Sequence, residues 1–231
     1  MEIDLVAHDG GIPGAEVIHS LTLTDVATGW TEARVLKTKA RRWVLEALAD
    51  ITAQIPFKLL GVTSDNGGEF INQELLAYCN EHQLTFTRTR PYRKNDNCFV
   101  EQNNYTMVRY AVGYARLGTE PQLNCLKELY PALGLFTNYF QPSVKLLKKT
   151  RTGSKVRKLY DAPQTPFTRM VQHRPIDPTI KAKLYRQYKL LNPAQLRRDI
   201  THCQNRLSAL CDSTHIQKTR RKAKHLDSIY R

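Results

Sequence analysis

The sequence predicts an α/β fold: a mixed sheet flanked by helices, followed by a small basic C-terminal module and a helical tail. Three observations predict it. Strand-like runs alternate with helix-like runs through the first 140 residues, with a hairpin near the start, which is the pattern of a mixed sheet. The composition is that of a folded chain, 41% hydrophobic and 24% charged over 231 residues. Charge is also segregated. Through residue 144 there are 13 Lys and Arg against 16 Asp and Glu, whereas residues 145–231 carry 22 against five.

Taken in order, residues 3–7 are a short apolar run interrupted by one acid, Asp4. Residues 17–26 alternate with β-branched side chains and read as a strand. Ala27-Thr28-Gly29-Trp30 is the turn, and 31–36 its paired strand. Over 40–54, Trp43, Leu45, Leu48 and Ile51 recur near helical spacing. The apolar run 58–63 reads as a strand delivering the polar turn Ser64-Asp65-Asn66-Gly67-Gly68. A helix over 72–82, a short strand over 84–88, a polar loop over 90–97 and a helix from about 98 to 117 complete the first part. Residues 143–171 are basic and rich in turn formers, and Pro163, Pro166, Pro175 and Pro178 punctuate a linker. Asn192-Pro193 then starts a helix over 194–210, with Asn as cap and Pro at the first helical position. Lys218 to Lys224 form a basic tail.

No run approaches the ~18 apolar residues of a membrane span, so no membrane partner is expected. The first residues have neither the basic nor the apolar region of a signal peptide. The five cysteines form no C-x-x-C pair, which indicates a reducing, intracellular compartment without a disulfide framework. A basic segment of this density attracts a polyanion, because each cation that neutralises a phosphate releases a condensed counterion. A solvated basic surface is the plainer alternative. His202, Cys203, Cys211 and His215 match no zinc-finger spacing and read as core or incidental residues.

Three carboxylates stand where a metal site would want them. Asp4 lies inside an apolar run, Asp65 follows an apolar strand at a glycine-rich turn, and Glu101 opens a predicted helix. A strand end, a strand-to-turn junction and a helix can converge on one edge of a sheet, and hard oxygen donors there suit Mg²⁺. Each has a plainer alternative: a solvated terminal acid, a turn stabiliser before Asn66-Gly67, and an ordinary helix acid. Asp9, before Gly10-Gly11, competes with Asp4 but sits where a turn asks for Asp.

The residues around those acids carry a resemblance. Ser64-Asp65-Asn66-Gly67-Gly68-Glu69-Phe70, Arg90-Pro91-Tyr92-Arg93-Lys94-Asn95-Asp96-Asn97 and Val100-Glu101-Gln102-Asn103 resemble the integrase core of transposases and retroviral integrases. The acidic triad of that family is Asp, Asp, then Glu after 35 intervening residues, the separation of Asp65 and Glu101. Asp4 would be the first member, and Leu21 to Trp30 match the next strand and turn. Similarity to bacterial insertion-sequence transposases extends through Phe140-Gln141-Pro142-Ser143 and Tyr160 to Phe167, so that it spans about residues 2–170. It implies an RNase H-like fold, with a catalytic core over 1–140, a small basic β or irregular module over 141–175 and a basic helical segment over 176–231.

The resemblance also implies an activity: two-metal phosphodiester chemistry with Mg²⁺ or Mn²⁺ held by Asp4, Asp65 and Glu101, cutting and joining DNA in transposition or integration. Asn66, Arg90, Arg93, Lys94 and Arg109 are candidates for holding DNA phosphates. The partners expected are element ends and target DNA, with a homo-oligomer assembled on them in a bacterial cytoplasm, at the nucleoid. Relatives usually carry His, Lys and Trp where Phe99, Asn103 and Tyr105 stand. The chain begins three residues before Asp4, without the N-terminal helix-turn-helix of the family, which suggests a truncated copy. A catalytically inactive DNA-binding or assembly remnant is the alternative, and a hydrolytic nuclease of the same fold a third reading.

Overall fold

The computed structural model describes residues 1–12, 16–67, 70, 73–90, 96–173 and 176–229, giving only the backbone for residues 173 and 212–229. In chain order the elements are β1 (Glu2–Ala7), β2 (His19–Thr24), β3 (Thr31–Leu36), α1 (Arg41–Gln54), β4 (Gly61–Ser64), α2 (Gln73–Glu81) and β5 (Thr85–Arg88). Next come α3 (Cys98–Asn103), a π-helical stretch Asn104–Arg109, α4 (Tyr110–Val112) and α5 (Glu120–Phe140). The C-terminal part holds β6 (Leu146–Thr152), β7 (Lys155–Tyr160), α6 (Pro166–His173), α7 (Pro178–Leu190) and α8 (Pro193–Ile229).

Five strands form one mixed sheet in the order β3-β2-β1-β4-β5. β1, β2 and β3 are antiparallel neighbours, while β4 and β5 run parallel to β1. β1 is therefore central, and its two faces differ in chemistry. On one face Ile3, Leu21, Leu23 and Val62 pack against Val44, Leu48 and Ile51 of α1 and Leu75 and Cys79 of α2. The other face is a layer of buried hydroxyls, Ser20, Thr22, Thr24 and Thr31. A buried hydroxyl without a partner costs about 1–3 kcal/mol, and each of these has one. Ser20 meets His8 and Tyr130, Thr22 meets Asn104, and Thr24 meets Thr31. Asn138 of α5 both donates to and accepts from the Thr31 backbone at 2.9 Å.

Over α5 the structure supplies an element that the sequence reading leaves unassigned. Leu123, Leu126, Leu129 and Leu133 recur at helical spacing, with Asn124, Lys127 and Glu128 on the exposed side, but Pro131 interrupts the run. A capping box between Thr119 and Gln122 starts the helix all the same. Its Leu123, Leu126, Leu129 and Leu133 share one cluster with Ile200, Cys203 and Leu207 of α8. The expected linker also resolves differently. Pro166 and Pro178 are the first residues of α6 and α7, where a missing N–H costs nothing. The helix expected from 98 to 117 is interrupted by the π-helical stretch and stops at Gly113, whose φ of 78° only glycine adopts readily. The helix expected over 194–210 runs on to Ile229.

Candidate active site

β1 and β4 run parallel, with Ile3 opposite Ser64. The next residue in each case is an acid, Asp4 within β1 and Asp65 just past the end of β4, so the two stand side by side where the paired strands part. Both Asp4 oxygens are held: Oδ1 accepts the Leu5 N–H at 2.8 Å, and Oδ2 accepts Asn104 Nδ2–H at 2.6 Å. Partial burial pushes the Asp4 carboxyl up to about 6, and the negative charges of Asp65 and Glu101 push the same way. The charges of both other acids therefore reach Asp4 across this edge. One oxygen of Asp65 accepts the Gly67 N–H at 2.9 Å, so the residue also serves the turn that presents it.

Glu101 is exposed, in the first turn of α3. That helix is fixed by β1. Its cap residue, Asn97, makes no side-chain cap. Instead Glu2 Oε2 accepts the N–H groups of Phe99 and Val100, each at 2.9 Å, satisfying two of the donors that a helix start leaves unpaired. Burial raises the Glu2 pKa, and those two N–H groups oppose the rise. Asn97 Nδ2 also donates to the Ile3 carbonyl. The π-helical stretch then begins at Asn104, which accepts the Thr22 hydroxyl and donates to Asp4. Wide turns of this kind recur at functional sites because they re-aim a side chain.

Glu2 and Asn104 position the site, and the sequence reading names neither of them. Both act across about a hundred residues of chain, which local pattern does not show. One signal was present: Glu2 shares a strand face with Asp4, and a buried acid needs a partner.

The remaining candidates are placed variously. Asn66 donates to the Thr89 carbonyl. Arg90 is exposed and bidentate on Asp96. Arg109 donates to the Ala7 carbonyl at 3.0 Å and lies over the Tyr114 ring. Arg93 and Lys94 lie outside the described residues. Phe99 receives the Lys145 ammonium over its ring, Asn103 donates to Thr24 and to the Phe99 carbonyl, and Tyr105 is exposed. Asp9 accepts the Gly11 N–H in its own turn. Cys203 and Cys211 belong to the apolar cluster between α5 and α8.

Three carboxylates supply hard oxygen donors, a set suited to a divalent cation. Among the described residues, however, no three His, Cys, Asp or Glu side chains are already gathered as a metal site.

The sequence model of the integrase core domain matches residues 1–94. Over those residues the chain is similar to that domain. A chain of the simian T-cell lymphotropic virus intasome, solved in complex with PP2A regulatory subunit B56 gamma, superposes with a TM-score of 0.51 at 16% identity, over 77% of this chain and 56% of that one. The catalytic core domain of BIV integrase superposes with a TM-score of 0.47, also at 16% identity, over 72% of this chain and 90% of that one. Among curated proteins, the uncharacterized protein y4rM of Sinorhizobium fredii (strain NBRC 101917 / NGR234) is 41% identical over 169 residues, 73% of this chain. The chain spans 48% of that relative's length. The matched stretch includes Asp4 and Asp65, while Glu101 lies seven positions past its end. No helix among the described residues is long and apolar enough to cross a membrane.

Proposed function

We propose that the chain is a transposase- or integrase-type DNA strand transferase, with Asp4, Asp65 and Glu101 as its catalytic acids. The observation that carries this reading is the edge itself. Two parallel neighbouring strands each deliver an aspartate at the same level, and the helix bearing Glu101 is capped from the same central strand. The three acids would hold Mg²⁺ or Mn²⁺, which supplies charge neutralisation at a scissile phosphate and makes an attacking hydroxyl more acidic.

The chain's own residues supply orientation. The Leu5 N–H and Asn104 hold the Asp4 carboxylate, the Gly67 N–H holds Asp65, and Glu2 fixes the helix that presents Glu101. The reaction is one in-line displacement at phosphorus. A DNA 3′-hydroxyl or a water oxygen forms the new P–O bond as the old one breaks, and the leaving oxygen takes up a proton. The number of phosphodiester bonds is unchanged in joining and falls by one in hydrolysis. DNA ends and a DNA target are the substrates, and copies of the chain would assemble on them.

A second reading is an inactive DNA-binding or assembly remnant, favoured by the absence of a ready-gathered ligand set among the described residues. The test incubates the chain, and Asp65→Asn, with Mg²⁺ or Mn²⁺, duplexes bearing a recessed 3′-hydroxyl and a supercoiled plasmid target. Joined products from the natural chain alone support the transferase. Cut but unjoined products, again from the natural chain alone, indicate a nuclease. DNA binding without cutting or joining by either protein supports the remnant.

A further inference from the structure

The β6–β7 hairpin is the part of the molecule least explained by its own packing. Every residue of both strands is exposed, including Leu147 and Leu159, at 64% and 55%. A lone two-stranded hairpin is marginal in water. This one also sets Lys149 directly opposite Lys158, a like-charge pairing that destabilises a ribbon. Residues 146–160 contain six Lys and Arg and no acid.

The two ends of the hairpin are, by contrast, firmly held. The Lys145 N–H donates to Asp161, which also receives the buried Arg169 guanidinium. That clamp holds the Asp161 carboxyl down at about 2. The Lys145 ammonium donates to the carbonyls of Val26 and Ala27 and lies 5.7 Å from the Phe99 ring centroid. Phe99 is the residue whose N–H is held by Glu2. The ribbon thus springs from beside the acidic edge.

The register sorts its cations evenly. Lys149, Arg151 and Lys158 fall on one face, and Lys148, Lys155 and Arg157 on the other. A ribbon lying flat on a polyanion needs cations on one face. Cations on both suit a slot with phosphates along each wall, and the major groove of duplex DNA, about 12 Å wide, admits a two-stranded ribbon. At the tip, Gly153-Ser154 makes a two-residue loop with φ of 60° at the glycine, keeping the end narrow.

We propose that the β6–β7 ribbon inserts into the major groove of the DNA engaged at the acidic edge, with its two cationic faces against the two phosphate walls. The inference deepens the function proposed above and rests on it for the identity of the polyanion. It needs no catalysis.

The test measures binding of the full chain to a mixed-sequence DNA duplex and to the RNA duplex of the same sequence, by fluorescence anisotropy over a salt series without divalent metal. Three triple variants are compared: Lys149→Gln/Arg151→Gln/Lys158→Gln, Lys148→Gln/Lys155→Gln/Arg157→Gln, and a control on exposed α7, Lys181→Gln/Arg186→Gln/Lys189→Gln. Each ribbon triple is expected to weaken DNA binding at least tenfold or so and to lower the salt slope by about 2–3, close to 0.9 per lost phosphate contact. The α7 triple should change neither. The deep, narrow major groove of RNA does not admit the ribbon, so the natural chain should prefer DNA and the ribbon triples should lose that preference. Matched thermal melts show that the variants fold. A loss from one ribbon face only, an equal loss from the α7 triple, or equal affinity for RNA would each overturn the proposal. A chain that binds through both faces but never joins DNA ends would sink the transferase reading and leave the ribbon standing.

Discussion

Glu2 and Val100 are 98 residues apart, yet the carboxylate of the first accepts the backbone N–H of the second at 2.9 Å. Through that bond, and its twin to Phe99, the central strand sets the position of the helix carrying Glu101. Removing the acceptor leaves two helix-start donors buried or half-buried. Glu2→Ala is expected to cost about 1–2 kcal/mol, the range of a lost cap, and to depress strand joining by more than its effect on folding. Glu2→Gln keeps an oxygen acceptor and should recover most of both. Chemical denaturation read beside joining rate checks this, and equal behaviour of the two variants would refute it.

Asp4 shows the opposite bargain, stability set against charge. Its folded pKa of about 6 exceeds the ordinary aspartate value of about 3.9. Between those values the folded state binds more protons, so stability falls as pH rises from about 4 to 6 and the deficit persists above 6. The upper bound is about 3 kcal/mol. Asp4→Asn should therefore melt several degrees higher than the natural chain at pH 7.5, with the gap closing below pH 4. Mg²⁺ should raise the melting temperature of the natural chain and leave the variant nearly unmoved. A variant less stable at pH 7.5 than at pH 4, relative to the natural chain, would contradict the sign.

His8 titrates with the reverse sign. It is fully buried against Ser20, and burial, followed by the charge of Arg109, lowers its pKa to about 3. From about pH 6.5 down to 3 the unfolded chain binds the extra proton, so stability drops as pH falls, by at most about 1.4 kcal/mol per unit. His8→Gln should flatten that limb, checked by denaturation at pH 7.5, 5.5 and 4. A natural chain and variant that lose stability in parallel would rule it out.

Asn104 bridges Thr22 and Asp4 at the first residue of the π-helical stretch. Groups that orient a ligand rather than bind the metal are commonly worth about 10–100-fold in activity. Asn104→Ala should slow joining by that order while DNA affinity changes less than about threefold, read by anisotropy. An unchanged joining rate would show that Asp4 is aimed without it.

Gly61 opens the strand that delivers Asp65. A Cβ there would stand 2.6 Å from the Thr85 carbonyl oxygen of β5, so Gly61→Ala must push two paired strands apart. A loss of about 1–3 kcal/mol is expected, as for overpacking generally. A neutral result would mean the β4–β5 pair yields freely.

What the sequence shows of this fold follows from range. β2 and β3 are legible because alternation is local, and the three candidate acids stand out because Asp65 and Glu101 keep a motif's spacing. The helix α5 carries a readable stripe of Leu123, Leu126, Leu129 and Leu133 and is masked only by Pro131 inside it, while α6 and α7 are hidden because their N-terminal prolines look like linker. The grip of Glu2 on α3 and of Asn104 on Asp4 has no local signature, since each joins partners about a hundred residues apart.

The docking of α8 on α5 changes the meaning of the hairpin between them. Leu123, Leu126 and Leu129 are covered by Ile200, Cys203 and Leu207, so the chain leaves the core after α5, makes the ribbon, and returns to finish the same core. The ribbon is an insertion with both ends tethered. A load placed on its tip is shared between two anchored strands, so it behaves as a braced strut rather than a tail on a swivel.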